Sequence, residues 1–213
     1  MSTDVKICGL KTAEALDAAL SGGASHVGFI FFAKSPRNIA PEEAGRLRRA
    51  ALGRAAAVAV TVDADDALLD TIVAAMAPDM LQLHGKESPT RVAAVKTRYG
   101  LPVMKALPVS EAADVAAAET FRGIADRMLF DARPPRGAEL PGGNGVPFDW
   151  RILDGFRRDY FLSGGLTPDN VGAAIRLLDP PGLDVSSGVE SSPGVKDSGL
   201  IAAFLAAVRA TKR

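Results

Sequence analysis

The sequence predicts a single-domain (β/α)8 or TIM barrel, an α/β fold in which parallel strands close on themselves. Two observations carry this. Short β-branched and aromatic runs alternate with longer, alanine-rich amphipathic runs along the whole chain. The alternation recurs about eight times, the strand count of a closed barrel. A doubly wound open sheet is the competing arrangement, but it usually has fewer strands over 213 residues. Its phosphate fingerprint would follow the first strand, where Gly9-Leu10-Lys11 stands and no G-x-G-x-x-G does. No linker or shift in composition divides the chain, so residues 1–213 read as one domain.

The elements follow in order. Val5 to Cys8 is an apolar strand ending in a glycine turn, and Thr12 caps a helix to Leu20 that Ser21-Gly22-Gly23 ends. His26 to Phe32 is a buried strand. A helix then starts at Pro41, where proline suits the first turn and Glu42 and Glu43 suit the positive end of the dipole. Ala57 to Val62 and Met80 to Leu83 are the third and fourth strands, with helices from Asp65 to Met76 and from Pro89 to Tyr99. Val103 to Leu107 is the fifth strand, followed by a helix that Ser110 opens. Met128 to Asp131 is the sixth, followed by a long Pro/Gly loop and a helix from Asp149 to Phe156. Tyr160 to Ser163 and Leu183 to Ser186 complete the strands. Their helices run from Thr167 or Pro168 to Leu178, and from Leu200 to Ala210. Units of about 25 residues leave room only for short loops almost everywhere.

The composition excludes several classes. There are 25 basic and 25 acidic side chains, so no electrostatic footprint for nucleic acid or an anionic membrane surface is present. One cysteine allows no internal disulfide and suits a reducing compartment. The start Met1-Ser2-Thr3-Asp4 carries no secretory pattern, and the longest apolar runs are too short to span a bilayer. A soluble cytoplasmic protein is expected.

The candidate chemistry clusters at strand ends. Cys8 closes the first strand, so in a barrel it faces the active-site mouth as an acid/base or nucleophile; the alternative is a small buried hydrophobe. Asp131 closes the sixth strand among apolar neighbours, a setting that favours the protonated acid; the alternative is a capping carboxylate. Arg37 lies in the loop after the second strand, where its fork could hold a carboxylate, or it is a solvated surface arginine. Two glycine/serine loops follow the seventh and eighth strands: Ser163-Gly164-Gly165-Leu166 and Asp184-Val185-Ser186-Ser187-Gly188-Val189-Glu190. Barrels bind phosphate there through backbone N–H groups and a helix N-terminus, so Gly164, Gly165, Ser186, Ser187 and Gly188 are phosphate candidates. Ordinary tight turns are the alternative. A third stretch, Pro141-Gly142-Gly143-Asn144-Gly145, lies where a lid would close.

These runs, taken in order, resemble the phosphoribosylanthranilate isomerase family. The resemblance rests on Lys6-Ile7-Cys8-Gly9, Val27-Gly28-Phe29-Ile30-Phe31 with Ser35-Pro36-Arg37, and Leu81-Gln82-Leu83-His84-Gly85. It continues through Leu129-Phe130-Asp131, Gly142-Gly143, Phe148-Asp149-Trp150, the two phosphate loops, and Pro193-Gly194 with Lys196-Asp197. It implies an Amadori rearrangement of a small phosphosugar, N-(5-phosphoribosyl)anthranilate, with no cofactor and no metal. In that family's pattern Cys8 is the general base, Asp131 the general acid and Arg37 the partner of the anthranilate carboxylate. Lys6, Gln82, His84, Gly142, Gly143 and Asp184 line the site. Two positions depart from the pattern: Asn144 replaces a threonine, and Lys11 stands where a small hydroxyl residue is common.

Strand parity adds a further expectation. Lys6 and Cys8 share a face, and the eighth strand neighbours the first in a closed barrel. Lys6 is therefore expected to pair with Asp184 or another inward carboxylate, and its positive field to favour the Cys8 thiolate. Within enzymes another phosphosugar barrel, an epimerase or an indole-forming synthase, is the rival. Outside them, the rival is a catalytically silent phosphate-binding protein.

Overall fold

The computed structural model describes residues 3–134, 137, 140–143 and 148–211. Eight parallel strands close into a barrel in sequential order: β1 Asp4–Cys8, β2 His26–Phe31, β3 Ala56–Thr61, β4 Met80–Leu83, β5 Val103–Val109, β6 Arg127–Ala132, β7 Tyr160–Leu162 and β8 Gly182–Val185. The expected strands are all present, with ends displaced by a residue or two. The connecting helices are α1 Ala13–Ser21, α2 Pro41–Ala51, α3 Asp66–Met76, α4 Pro89–Tyr99, α5 Ala112–Ala116, α6 Val171–Leu178 and α7 Ser198–Thr211. Caps fix several starts, as expected for Thr12, whose hydroxyl accepts from the Ala15 amide. Asp65 and Ser88 do the same for α3 and α4.

Two helices expected from composition are largely absent. After β5, α5 lasts little more than a turn and tightens into a 3-10 segment, Ala117–Phe121, that buries Ala118 and Phe121. After the β6 loop, only a 3-10 turn forms, Trp150–Leu153. Asp154 leaves helical geometry at ψ 130°, and Gly155 follows at φ 84°, so the turn is not continued. Phe156 turns inward there and packs edge-on against Phe130 and Tyr160. An unforeseen hairpin, β9 Glu190–Ser192 with β10 Val195–Lys196, follows β8. The expected departure at Asn144 lies outside the described residues.

Both faces of each strand are covered, so the strands read as near-continuous apolar runs. Outward residues such as Ile7, Val27, Phe29, Leu81 and Val103 pack under the helices in the main core. Inward residues Cys8, Val58, Val60, Met104, Leu129 and Phe161 form a second, central cluster. Polar groups interrupt this interior in its upper part: Lys6, Cys8, Gln82, Asp131 and Asp184 are all buried.

Candidate active site

The register of β1 sets the first group. Lys6 is paired with Asp184 on β8, and Cys8 with Gly28 on β2. Lys6 Nζ donates to Asp184 Oδ1 at 2.7 Å, and Ser163 Oγ donates to the other carboxylate oxygen at 3.1 Å. The expected Lys6–Asp184 pair is therefore present. Gly28 makes room for it: a Cβ there would stand 3.0 Å from both Cys8 Sγ and Lys6 Nζ. Burial pulls the lysine down, but Asp184 and then Cys8 outweigh it and hold the ammonium above its ordinary range.

The expected easing of the thiol toward thiolate is not what the surroundings produce. Burial is the largest influence on Cys8 and pushes the thiol up. Lys6 pulls the other way, and the Asp184 charge adds to the rise. Lys6 thus spends much of its field on the carboxylate 2.7 Å away.

The second group stands across the mouth at the ends of β4 and β6. Asp131 is 4% exposed; its Oδ1 accepts from the Ala132 amide and its Oδ2 lies 3.3 Å from His84 Nε2. The other ring nitrogen of His84 faces Gln82 Nε2 at 3.0 Å. Gly142 lies directly over this contact. A Cβ on it would crowd Asp131 Oδ2 and His84 Nε2, so any larger residue would displace one of these side chains.

The third group surrounds Arg37, which is buried rather than solvated. Its Nε and Nη2 form a fork to both oxygens of Glu190, at 2.8 and 2.9 Å, and Nη2 also donates to the Gly143 carbonyl. Lys196 Nζ donates to Glu190 Oε1 and to the carbonyl of Ser186, whose hydroxyl in turn donates to the Cys8 carbonyl. Burial opposes ionisation of Glu190, but Arg37 and Lys196 together hold its carboxyl below the usual range. Burial lowers Lys196 in spite of Glu190. Glu190 and Lys196 did not figure among the expected site residues. Their signal was their place in the last runs that carry the family resemblance, but only the β9–β10 hairpin shows that they meet. Lys11 donates to the Pro36 carbonyl, which ties the loop after β1 to the one carrying Arg37.

The two glycine loops meet. A Cβ on Gly188 would overlap the Leu166 carbonyl, and Gly164 and Gly165 both adopt positive φ. Gly188, in the loop after β8, thus lies against the loop after β7 that holds Gly164 and Gly165, and Lys196 reaches the β8 loop at Ser186. Cys8, Arg37, His84, Asp184 and Ser186 line one narrow cleft, about 50 Å³, which Leu140, Pro141 and Gly142 cross. Among the described residues, no group of three or more His, Cys, Asp and Glu side chains is arranged to hold a metal ion. Nor is any helix among them long and apolar enough to cross a membrane.

The closed barrel and its polar upper mouth define the class: a (β/α)8 barrel enzyme. The family model of N-(5'-phosphoribosyl)anthranilate (PRA) isomerase matches residues 5–207. An N-(5'-phosphoribosyl)anthranilate isomerase of Mesorhizobium japonicum is 69% identical, covering 100% of this chain and 98% of its own. Phosphoribosyl anthranilate isomerase from Thermotoga maritima superposes with a TM-score of 0.87 at 34% identity, covering 98% of this chain and 99% of that one. A phosphoribosyl anthranilate isomerase in complex with reduced 1-(o-carboxyphenylamino)-1-deoxyribulose 5-phosphate gives 0.85 at 32%, over 98% and 99%. The chain belongs to the N-(5'-phosphoribosyl)anthranilate isomerase family.

Proposed function

We propose that this chain converts N-(5'-phosphoribosyl)anthranilate to 1-(2-carboxyphenylamino)-1-deoxyribulose 5-phosphate, the third step of tryptophan synthesis from chorismate. One observation supports this most: a buried thiol and a buried carboxyl group, Cys8 and Asp131, end two strands on the same mouth, next to the glycine loops after β7 and β8. Asp131 gives its proton to the ribose ring oxygen, and the ring opens to a Schiff base. Cys8, as thiolate, removes the proton at C2. The resulting enolamine takes a proton at C1 and releases its hydroxyl proton, leaving the ketone at C2. Two protons are given and two returned, so both groups end as they began.

The substrate lies across the mouth. Its phosphate meets the backbone of Gly164, Gly165, Ser186, Ser187 and Gly188, and its carboxylate meets the edge of Arg37 that Glu190 does not use. The segment 140–143 swings out to admit it, because the present cleft is too narrow. A single barrel domain carries every one of these groups. The partner is this small phosphosugar alone, with no nucleic acid and no membrane, and the reaction takes place in the cytoplasm, where a lone thiol stays reduced. The test is loss of anthranilate fluorescence on adding the riboside phosphate to purified protein. Turnover lowered by about 10²–10⁴-fold in Cys8→Ala supports the reading. Phosphate binding without turnover by the unaltered chain would make it a silent binding barrel instead.

A further inference from the structure

We infer that Glu190 decides which anion Arg37 accepts: it leaves this arm of the site a single positive charge, which suits the substrate's carboxylate and turns its phosphate away. This rests on the reading above, in which one substrate brings both groups into the same mouth.

The charges follow from the hydrogen bonds. Glu190 Oε1 accepts from Arg37 Nε at 2.8 Å and from Lys196 Nζ at 2.7 Å. Its Oε2 accepts from Arg37 Nη2 at 2.9 Å and from the Gly194 amide at 3.1 Å. Four donors meet two oxygens, which leaves no lone pair for a proton, so Glu190 is a carboxylate. Lys196 Nζ reaches three oxygens: Glu190 Oε1, the Ser186 carbonyl at 2.8 Å and Ser186 Oγ at 3.2 Å. The Ser186 hydroxyl gives its own proton to the Cys8 carbonyl, so toward Lys196 it accepts. Burial lowers the lysine, but a neutral amine would set its lone pair against one of these three acceptors. Lys196 is therefore an ammonium with every hydrogen spent.

Two cations and one anion leave one positive charge, on side chains 5% exposed or less. Arg37 presents it, because the two clefts that Arg37 lines contain no other lysine or arginine among the described residues. Glu190 holds one edge of the guanidinium. On the other edge Nη2 donates only to the Gly143 carbonyl, a contact that the outward swing of this segment releases. A carboxylate placed there meets two donors in one plane and neutralises the cluster. A phosphate dianion brings a third oxygen with no donor and leaves the buried cluster net negative, which is costly. Without the Glu190 charge the arm would carry two positive charges and match a dianion. The substrate could then enter reversed, with its phosphate on Arg37. Glu190 thus acts by what it repels as much as by what it holds.

The probes are two unreactive product analogues: reduced 1-(2-carboxyphenylamino)-1-deoxyribulose 5-phosphate, and the same molecule with a phosphonate in place of the carboxylate. Calorimetric titration at a pH where the phosphonate is a dianion gives the ratio of their Kd values. The unaltered protein should prefer the carboxylate by about tenfold or more. Glu190→Gln, which adds a positive charge to the arm, should abolish or invert that preference. Lys196→Gln, which removes one, should widen it. The double variant has a single charge again and should return the ratio to near its original value. Both probes carry the same 5-phosphate, so damage to the phosphate loop cancels in the ratio. A residue that only supports the fold would weaken both probes alike, and its loss would add to that of Lys196. A ratio unmoved by Glu190→Gln, or not restored in the double variant, would overturn the inference. If Glu190→Gln fails to fold, Lys196→Gln decides alone, and an unchanged or narrower preference would overturn it. Failure of the unaltered protein to bind either probe would remove the isomerase reading and this inference with it. Tight binding of the carboxylate probe with an unmoved ratio would remove this inference only.

Discussion

Lys6 Nζ stands 2.7 Å from Asp184 Oδ1 at the centre of the barrel, with side chains 0% and 5% exposed. A buried pair of this kind adds little net stability over apolar residues of the same size, because both charges lose their water. Breaking it is different, since the remaining charge is left without a partner. Lys6→Met or Asp184→Asn alone should therefore destabilise the fold by about 3–5 kcal/mol. The double variant should cost clearly less than the sum of the singles. Denaturant unfolding of all four proteins checks this, and simple additivity would mean that the pair carries no coupling.

The same pair governs the base. Burial pushes the Cys8 thiol up, and Lys6 opposes that rise. The thiolate is the working form, so kcat/KM should climb as pH rises through neutrality toward the raised thiol value. Lys6→Met should move this limb to still higher pH, and Cys8→Ala should lower kcat by about 10²–10⁴-fold with phosphate inhibition unchanged. Stopped-flow fluorescence across pH gives both. A limb indifferent to Lys6 would detach the lysine from the thiol.

Much of this was legible in the sequence because the barrel repeats one local rule. Each strand is an apolar run and each helix an amphipathic one, so Val5 to Cys8 or Met80 to Leu83 could be placed without knowledge of the fold. Parity then put Lys6 beneath Cys8 and opposite Asp184. What was hidden depends on contacts between distant residues. Nothing local says that the chain will leave helical geometry at Asp154 after one turn, or that Glu190 will reach back to Arg37. The rise of the Cys8 thiol was missed for the same reason. A nearby lysine is visible in sequence, but its neutralisation by Asp184 and the depth of burial are properties of the closed barrel.

Arg37 offers a test of substrate orientation. Glu190 uses its Nε and Nη2, so the proposed carboxylate contact must come from the remaining edge. Arg37→Ala should raise KM for the anthranilate-bearing substrate about tenfold or more, while inhibition by inorganic phosphate stays near its original value. Arg37→Lys should not restore it, because an ammonium cannot serve Glu190 and a carboxylate through one planar fork. Equal loss of substrate and phosphate affinity would place Arg37 at the phosphate and reverse the substrate in the mouth.

The last prediction concerns acid stability and a residue at the opposite end of the barrel. His26 starts β2, is 7% exposed, and stands edge-on to Phe161 with ring centres 5.2 Å apart. Its Nδ1 shares a hydrogen bond of 2.8 Å with Ser25 Oγ. Burial is the main cause that pushes its pKa down to about 4; Asp4 resists, while Arg127 and Lys6 add to the fall. In the unfolded chain the same imidazole titrates near 6.5. Above about 6.5 neither state takes the proton and the neutral ring's fit is fully realised. As pH falls from there toward 4, the unfolded chain binds a proton that the folded chain refuses, and stability drains away by about 3 kcal/mol in all. Between pH 6.5 and 5 most carboxylates are still ionised, so the slope in that window belongs mainly to His26. His26→Gln should flatten it while leaving kcat at neutral pH nearly unchanged, because the ring is already neutral there and pairs in register with Lys6, below the level of Cys8. Urea midpoints at half-unit steps from pH 7.5 to 4 make the comparison. Parallel curves for the two proteins would mean that His26 protonates alike in both states, and the acid sensitivity would then have to come from groups at the mouth.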